Sequence, residues 1–324
     1  MRKILSIFLV TLPLLSVAQF APPAGQEGTT AMHADSSAFV AWATGCVVER
    51  GPMRIDKPEQ GLASYGVDAD GIGFPDGQGL VSLGDGGNAV VTFASPICNG
   101  PGPDFAVFEN PLENAQQPGF FFLELGFVEV SSDGVNYFRF PAVSLVPETP
   151  QVGGFGCVEP HLVHNFAGKY APMYGTPFDL DELEDDPALD KDNITHVRIV
   201  DVVGNIDPEY ATYDSQGHVV NDPWPTPFAS SGFDLDAVGV IHDRAHASVD
   251  NHDATSITLY PNPVQNTLMV KAHEVSSITV YSLTGQCVAE SPSNQVDVAS
   301  LQPGVYFARV VADGTVIVNK FVKK

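Results

Sequence analysis

Five oxygen-bearing residues define the chemistry this sequence could perform. Asp104, Glu109 and Asn110 stand at the two ends of the short apolar run Phe105-Ala-Val-Phe108. Asp234 and Asp236 alternate within Phe233-Asp-Leu-Asp-Ala-Val238. Strand side chains alternate between faces, so Asp234 and Asp236 share one. Hard cations take six to eight oxygens from carboxylates, amides and carbonyls. Strand ends brought together would supply such a set. The expected cofactor is therefore a structural calcium ion (Ca2+) held by Asp104, Glu109, Asn110, Asp234 and Asp236. The competing use of these residues is turn capping by Asp104 and Asn110, with Asp234 and Asp236 facing water. No complete EF-hand loop is present. Asp68-Ala-Asp-Gly71 and Asp214-Ser-Gln-Gly217 lack the later Glu that such a loop needs.

Aromatic residues offer a second chemistry, stacking on sugar rings. Tyr170, Tyr174, Tyr210, Tyr213 and Trp224 fall in Pro- and Gly-rich stretches that read as loops, and loops on a rigid scaffold commonly carry binding. Trp224, stiffened by the prolines of Asp222-Pro-Trp-Pro-Thr-Pro227, is the first candidate for ligand binding, with Tyr170 and Tyr213 beside it. Plugging a gap beneath the loop is an equal alternative for Trp224. The acid run Asp179 to Asp186 is expected to be a solvated loop, because like charges this close repel. The best histidine cluster, Glu159-Pro-His-Leu-Val-His164, carries a proline that argues for loop. His242, His246 and His252 read as part of a polar linker.

Motifs for catalysis are missing. The chain has no Gly-x-Ser-x-Gly and no His-Glu-x-x-His. Gly84-Asp-Gly-Gly-Asn-Ala89 matches a dinucleotide fingerprint by letters, but a strand follows where a helix is needed. Gly168-Lys169 lacks the upstream glycine of a phosphate loop. No catalytic residue is assigned. A glycosidase needs two carboxylates at a set separation, and 35 acids between residues 19 and 253 make that signal empty.

The elements that position these groups are read from composition and patterning. The 324 residues carry a net charge of −24. Residues 19–253 hold 35 acids against 8 Lys and Arg, and residues 254–324 hold 4 against 5. The first part would repel nucleic acid and anionic lipid, so neither is an expected partner. With 44% hydrophobic residues the chain is not disordered, and 30 Gly and 26 Pro favour short strands and turns. Arg2, Lys3, the apolar Ile4–Val17 run and the small residues Ser16 and Ala18 read as a signal peptide over 1–18. No segment reaches bilayer-spanning length, so the expectation is an exported protein that is not integral to a membrane. Export permits disulfides. The expectation is one pair among Cys46, Cys98 and Cys157, isolated buried thiols being an equal alternative, with Cys287 apart.

Runs such as Ala89–Phe93, Phe105–Phe108, Phe127–Val130, Tyr137–Phe140, His196–Val200 and Leu235–Ile241 have strand length and β-branched or aromatic enrichment. Asp179–Leu189 alone could hold a short helix. The predicted fold is all-β: a jelly-roll β-sandwich passenger over 34–243, preceded by an N-terminal linker over 19–33 and followed by a second linker over 244–254. A small Ig-like β-sandwich occupies 255–324, its short alternating runs separated by turns.

That last segment resembles the C-terminal sorting domain of the type IX (Por) secretion system of Bacteroidetes. The resemblance rests on Tyr260-Pro-Asn-Pro263, Val280-Tyr-Ser-Leu-Thr-Gly285, Leu301-Gln-Pro-Gly-Val-Tyr306 and Lys320-Phe-Val-Lys-Lys324, in that order. It implies the type IX machinery as partner, passage through periplasm and outer membrane, and removal of the domain. In the passenger, Glu129-Val-Ser-Ser-Asp-Gly-Val-Asn-Tyr137 resembles discoidin-like, galactose-binding-type jelly rolls. The series Val81–Gly87, Asn99–Asn110 and Gly232–Val238 resembles uncharacterised exported bacterial surface proteins. Phe233–Val238 is also similar to the last strand of related carbohydrate-binding modules, in which an Asp often ligates calcium.

The expected function is a secreted or cell-surface, non-catalytic, calcium-stabilised module that binds carbohydrate or another surface polymer. An extracellular glycan hydrolase and a structural adhesin or surface-layer component are the alternatives.

Overall fold

A computed structural model describes residues 20–77, 79–246, 258–272, 275–283, 285–312 and 315–324. The expected signal peptide, His252 and most of the expected linker lie outside the described residues. The described residues divide into two compact units, one up to residue 248 and one after it. Both are all-β, and among the described residues the only helical elements are short 3-10 turns. One of these turns, Leu180–Glu182, is all that forms in the stretch expected to hold a helix. Asp179 caps it through the Asp181 N–H, and the acids beyond it are solvated as expected.

In the first unit two five-stranded antiparallel sheets form a sandwich. One sheet runs Met32–His33, Tyr174–Phe178, Phe105–Phe108, Ala237–Val240, Ala41–Trp42 from edge to edge. The other runs Phe138–Arg139, Gly126–Ser131, Ile194–Asp201, Asn88–Ile97, Gly45–Glu49. Side-chain alternation supplies the core between them. Phe105 and Val107, Val128 and Val130, Ala89 and Val91, Val197 and Ile199 all point inward with Val238 and Val240. Full burial of a side chain of this size contributes roughly 1.5–3 kcal/mol before entropic costs. The outward residues of the first sheet, Ala106, Phe108 and Ala237, pack under Phe39, Trp42 and Met173.

A second apolar cluster lies beyond the sandwich. Leu123, Leu125 and Phe127 meet Val163, Phe166, Val202 and Val220 there. This cluster anchors the long loops at that end.

The glycine-rich Gly84–Gly87 stretch is a turn that enters the Asn88–Ile97 strand, so the dinucleotide-binding reading fails for the expected reason. Gly84 has φ +74°, and a Cβ there would lie 2.4 Å from the Gly51 carbonyl oxygen. Only glycine meets both conditions.

The four cysteines are free thiols, which corrects the expected disulfide. Cys46 packs on the sandwich core, where burial pushes its thiol up to about 12. Cys98 follows a central strand, and Cys157 borders a loop cavity. The three occupy separate neighbourhoods.

The second unit holds a three-stranded and a four-stranded antiparallel sheet. The first runs Thr258–Tyr260, Thr267–Lys271, Gln295–Asp297. The second runs Cys287–Ser291, Val275–Tyr281, Gly304–Ala312, Thr315–Lys323. Leu268, Val270, Ile278, Val280, Val296, Ala308, Val310 and Phe321 form its core. Gly285, at φ +79°, turns the chain between two strands.

Candidate cation site

Strand register explains how the acids meet. Phe108 pairs with Ala237, and the Asp236 N–H donates to the Phe108 carbonyl at 3.1 Å. Glu109, the next residue, is thereby carried to the same sheet end as the Asp234–Asp236 segment. The chain breaks step at Asp236. Asp234 and Leu235 leave the main sheet and pair instead with Ser82 and Val81, and the Ser82 hydroxyl donates to Asp234 Oδ1. Glu124 arrives from a third direction. Its neighbours Leu123 and Leu125 enter the loop-end core, and its own carboxylate lies with Glu109 and Asp234.

Glu109, Glu124 and Asp234 each offer an oxygen within 4.8 Å of the other two, and all three residues are buried. No ion pair among the described residues includes any of them. The Arg50 guanidinium lowers the Asp234 pKa by its charge, while it donates to the carbonyls of Tyr65, Gly66 and Ser82. Glu109 Oε2 is buried with no hydrogen-bond partner.

The electrostatics follow. Burial pushes Glu109 well above the usual carboxylate range, and the charges of Asp234 and Asp236 add to this against one backbone N–H at Asn110. Glu124 is raised by burial, then by Asp234, Glu109, Asp201 and Asp222. Asp234 is raised to about 6 by burial, opposed by the Ser82 hydroxyl.

Three further buried acids lie alongside. Asp201 accepts from Gly86 N at 2.8 Å and Phe233 N at 2.6 Å. Asp222 accepts from Leu125 N at 3.1 Å, and Asp85 from Ile55 N at 2.8 Å and Trp224 Nε1 at 2.9 Å. Burial raises all three. Each of these three carboxylates has at least one backbone N–H donor, and Asp85 an indole N–H as well, whereas Glu109 Oε2 has no donor.

The site residues read from the sequence occupy separate places in the fold. Glu109 and Asp234 belong to the cluster, and Asn110 lines the same cavity. Asp236 adds its charge nearby, but its oxygens take the N–H groups of Asp76 at 3.2 Å and Gly77 at 3.0 Å. Asp104 sits at the opposite end of its strand. It accepts from Gly100 N, Leu180 N and His242 Nδ1, each at 2.8 Å, and so ties three segments together. His242 is thus docked on the sandwich rather than in a linker.

The aromatic candidates are not brought together either. Tyr170 is 2% exposed, with its hydroxyl on Thr30 Oγ1 at 2.8 Å. It is a core residue, because the loop that carries it folds under Thr30. Trp224 is half-buried under the Arg54 guanidinium, its N–H committed to Asp85. Tyr213 is exposed and borders a different cavity with Phe138 and Asp214. His161 lies 3.9 Å from Glu159, while His164 stacks on Phe20, so the pair does not converge.

Sequence reasoning missed Glu124, Phe155 and Phe228. The available signal was a lone acid in Phe120-Phe-Phe-Leu-Glu-Leu-Gly126, charged where its neighbours are core. Phe155 and Phe228, in glycine- and proline-rich loops, border a cavity of about 360 Å³ with the three carboxylates. Chemically, three unpaired buried carboxylates at this spacing form a donor set for a hard cation.

The two sandwiches and the acid-lined cavity define a β-sandwich passenger followed by a separate β-rich C-terminal domain. Residues 258–324 match the family model of the secretion system C-terminal sorting domain. The C-terminal unit is a sorting domain of this kind, and the chain is exported to the cell surface or secreted, handled by the type IX machinery. No helix of the described residues is long and apolar enough to cross a membrane.

No curated protein matches the chain. Among solved structures, it is similar to the BSP domain of a biofilm-associated protein, at 11% identity and a TM-score of 0.19, over 73% of this chain and 48% of that one. A β-glucuronidase from Ruminococcus gnavus gives 11% identity and a TM-score of 0.20, over 93% of this chain and 46% of that one. The chain spans just under half the length of either structure.

Proposed function

We propose that the passenger is an exported, non-catalytic binding module whose loops are tied by calcium at Glu109, Glu124 and Asp234, and which presents the adjacent cavity to carbohydrate or another surface polymer. The observation that carries this reading is the buried convergence of three carboxylates without a paired cation, one of whose oxygens has no partner. Burying like charges together is costly unless a cation or protons neutralise them. A hard divalent ion meets that demand and bridges segments far apart in sequence. Glu109, Glu124 and Asp234 replace the five-residue set read from the sequence.

The test is thermal unfolding of the full chain after chelation, then with excess calcium or magnesium. Ligand at about 100 times its dissociation constant adds roughly 2.7 kcal/mol. In a domain this size each kcal/mol raises the melting temperature by roughly 2–4 °C. A rise specific to calcium supports the reading, and no rise sinks it.

A glycan hydrolase is the second reading, because Glu109, Glu124 and Asp234 bring carboxylate oxygens within 4.8 Å of one another beside a cavity, and retaining glycosidases work with a close carboxylate pair. Polysaccharide cleavage that persists in chelator and is lost in Glu124→Gln would favour it.

A further inference from the structure

The cavity beside the acid cluster has an unusual rim. Leu112 is 66% exposed, Phe155 82% and Phe228 45%, and all three border the same opening. Single exposed apolar residues are ordinary, but a group of them around a polar floor marks a binding surface. The rings of Phe155 and Phe228 lie 5.8 Å apart at 43° to one another. At 82% exposure, Phe155 contributes little to the fold's core.

The floor sets what can bind. A calcium ion there needs six to eight oxygens. If each of the three carboxylates gives one, three or more positions remain, and the cavity is the open side. Vicinal hydroxyls of a pyranose offer two oxygens on adjacent carbons. The C–H face of the same ring is apolar and suits an aromatic neighbour. Charge decides between sugar classes. Three carboxylates against one divalent ion leave a net negative site; Asp236 stands close by, and the Arg50 charge that reaches Asp234 is turned toward the carbonyls of Tyr65, Gly66 and Ser82. An anionic ligand such as a uronate or a sulfated sugar would be repelled.

We infer that this cavity binds a neutral saccharide, two of whose vicinal hydroxyls complete the coordination of a calcium ion on Glu109, Glu124 and Asp234, while Phe155 and Phe228 take its apolar face. The inference rests on the cation reading above and adds the ligand class and the mode of contact.

The experiment is calorimetry on the full chain in two stages. Calcium alone is titrated into chelator-stripped protein. The calcium-loaded protein is then titrated with mannan, dextran and galactan as neutral probes and with polygalacturonate as the anionic one. Expected are calcium binding, binding of a neutral glycan that chelator abolishes, and no binding of polygalacturonate. Phe155→Ala should weaken glycan binding roughly tenfold with calcium affinity unchanged, since the ring is solvent-exposed. Calcium binding with no neutral glycan bound overturns the inference and leaves the cation reading standing. So does glycan binding that survives chelator, that Phe155→Ala leaves intact, or that favours polygalacturonate. Absence of calcium binding removes the cation reading and the inference with it.

Discussion

Glu109 and Asp234 face each other in the protein interior with carboxylate oxygens within 4.8 Å, although one ends a strand of the main sheet and the other belongs to a segment that has left it. Each raises the cost of ionising the cluster. Without a cation, Asp234 ionises only near pH 6, and Glu109 and Glu124 are also held well above the usual carboxylate range. The folded chain then binds more protons than the unfolded chain once pH passes the ordinary carboxylate value of about 4. Stability of the chelated protein should fall as pH rises from about 4 through 6 and beyond. The shift of Asp234 alone corresponds to roughly 2–3 kcal/mol. Calcium should remove this decline, because it favours the ionised forms. Melting curves of the full chain across that range, with and without chelator, check the prediction. A flat chelated profile would contradict it.

Glu109→Gln separates charge from shape. The amide keeps the volume but removes one of the clustered charges and supplies donors to an oxygen-rich site. In chelator at neutral pH the variant should be at least as stable as the parent. In calcium it should lose most of the ligand-dependent rise. Paired melting curves give both readouts, and a variant that still responds fully to calcium would place the ion elsewhere.

Trp224 should behave as a structural residue. Its indole is half-buried, lies under Arg54 and donates to Asp85, a carboxylate already raised by burial. Trp224→Ala removes the ring and a hydrogen bond to a buried acid. A loss somewhat below the roughly 3–5 kcal/mol of a fully buried Trp is expected. Trp224→Phe keeps much of the packing and should cost roughly 1.5–3 kcal/mol, the range for a hydrogen bond to a charged group. Denaturant unfolding measures both, and unaltered stability in Trp224→Ala would restore a binding role for the ring.

How far the sequence reaches is visible in particular residues. Strand length with β-branched or aromatic enrichment located Phe105–Phe108 and the His196–Val200 part of the Ile194–Asp201 strand. The sorting domain was legible through ordered motifs spread along its strands. Glu109 and Asp234 were legible as acids at strand ends. Their companion was not. Whether Glu124 or Asp104 joins them depends on pairing register and on where the chain breaks step at Asp236, and both are set by contacts far apart in sequence. For the same reason Asp104 turned out to bind His242 and two backbone N–H groups. Tyr170 reads as a loop aromatic, yet packing under Thr30 buries it, and local composition cannot report tertiary burial.

Lys169 gives an independent test of the loop-end fold. Its ammonium is buried, donates to the Val163 carbonyl at 2.9 Å and lies 5.3 Å from the centre of the Tyr170 ring. Burial lowers its pKa to about 8. A lysine whose folded pKa is depressed destabilises the fold while both states hold the proton, and that cost is relieved once the folded state releases it. Stability should therefore rise between about pH 8 and the ordinary lysine value near 10.4. Tyrosines titrate at the upper end of this window, so the comparison must be internal. Lys169→Met keeps a flexible apolar stem, removes the charge and gives up one hydrogen bond of a charged group, worth roughly 1.5–3 kcal/mol. Its stability relative to the parent should be highest at neutral pH and shrink steadily toward pH 10. Chemical denaturation of both proteins in calcium over that range measures the difference. A difference that does not change with pH would mean that water reaches the ammonium, and that the loop end is more open than its packing around Tyr170 implies.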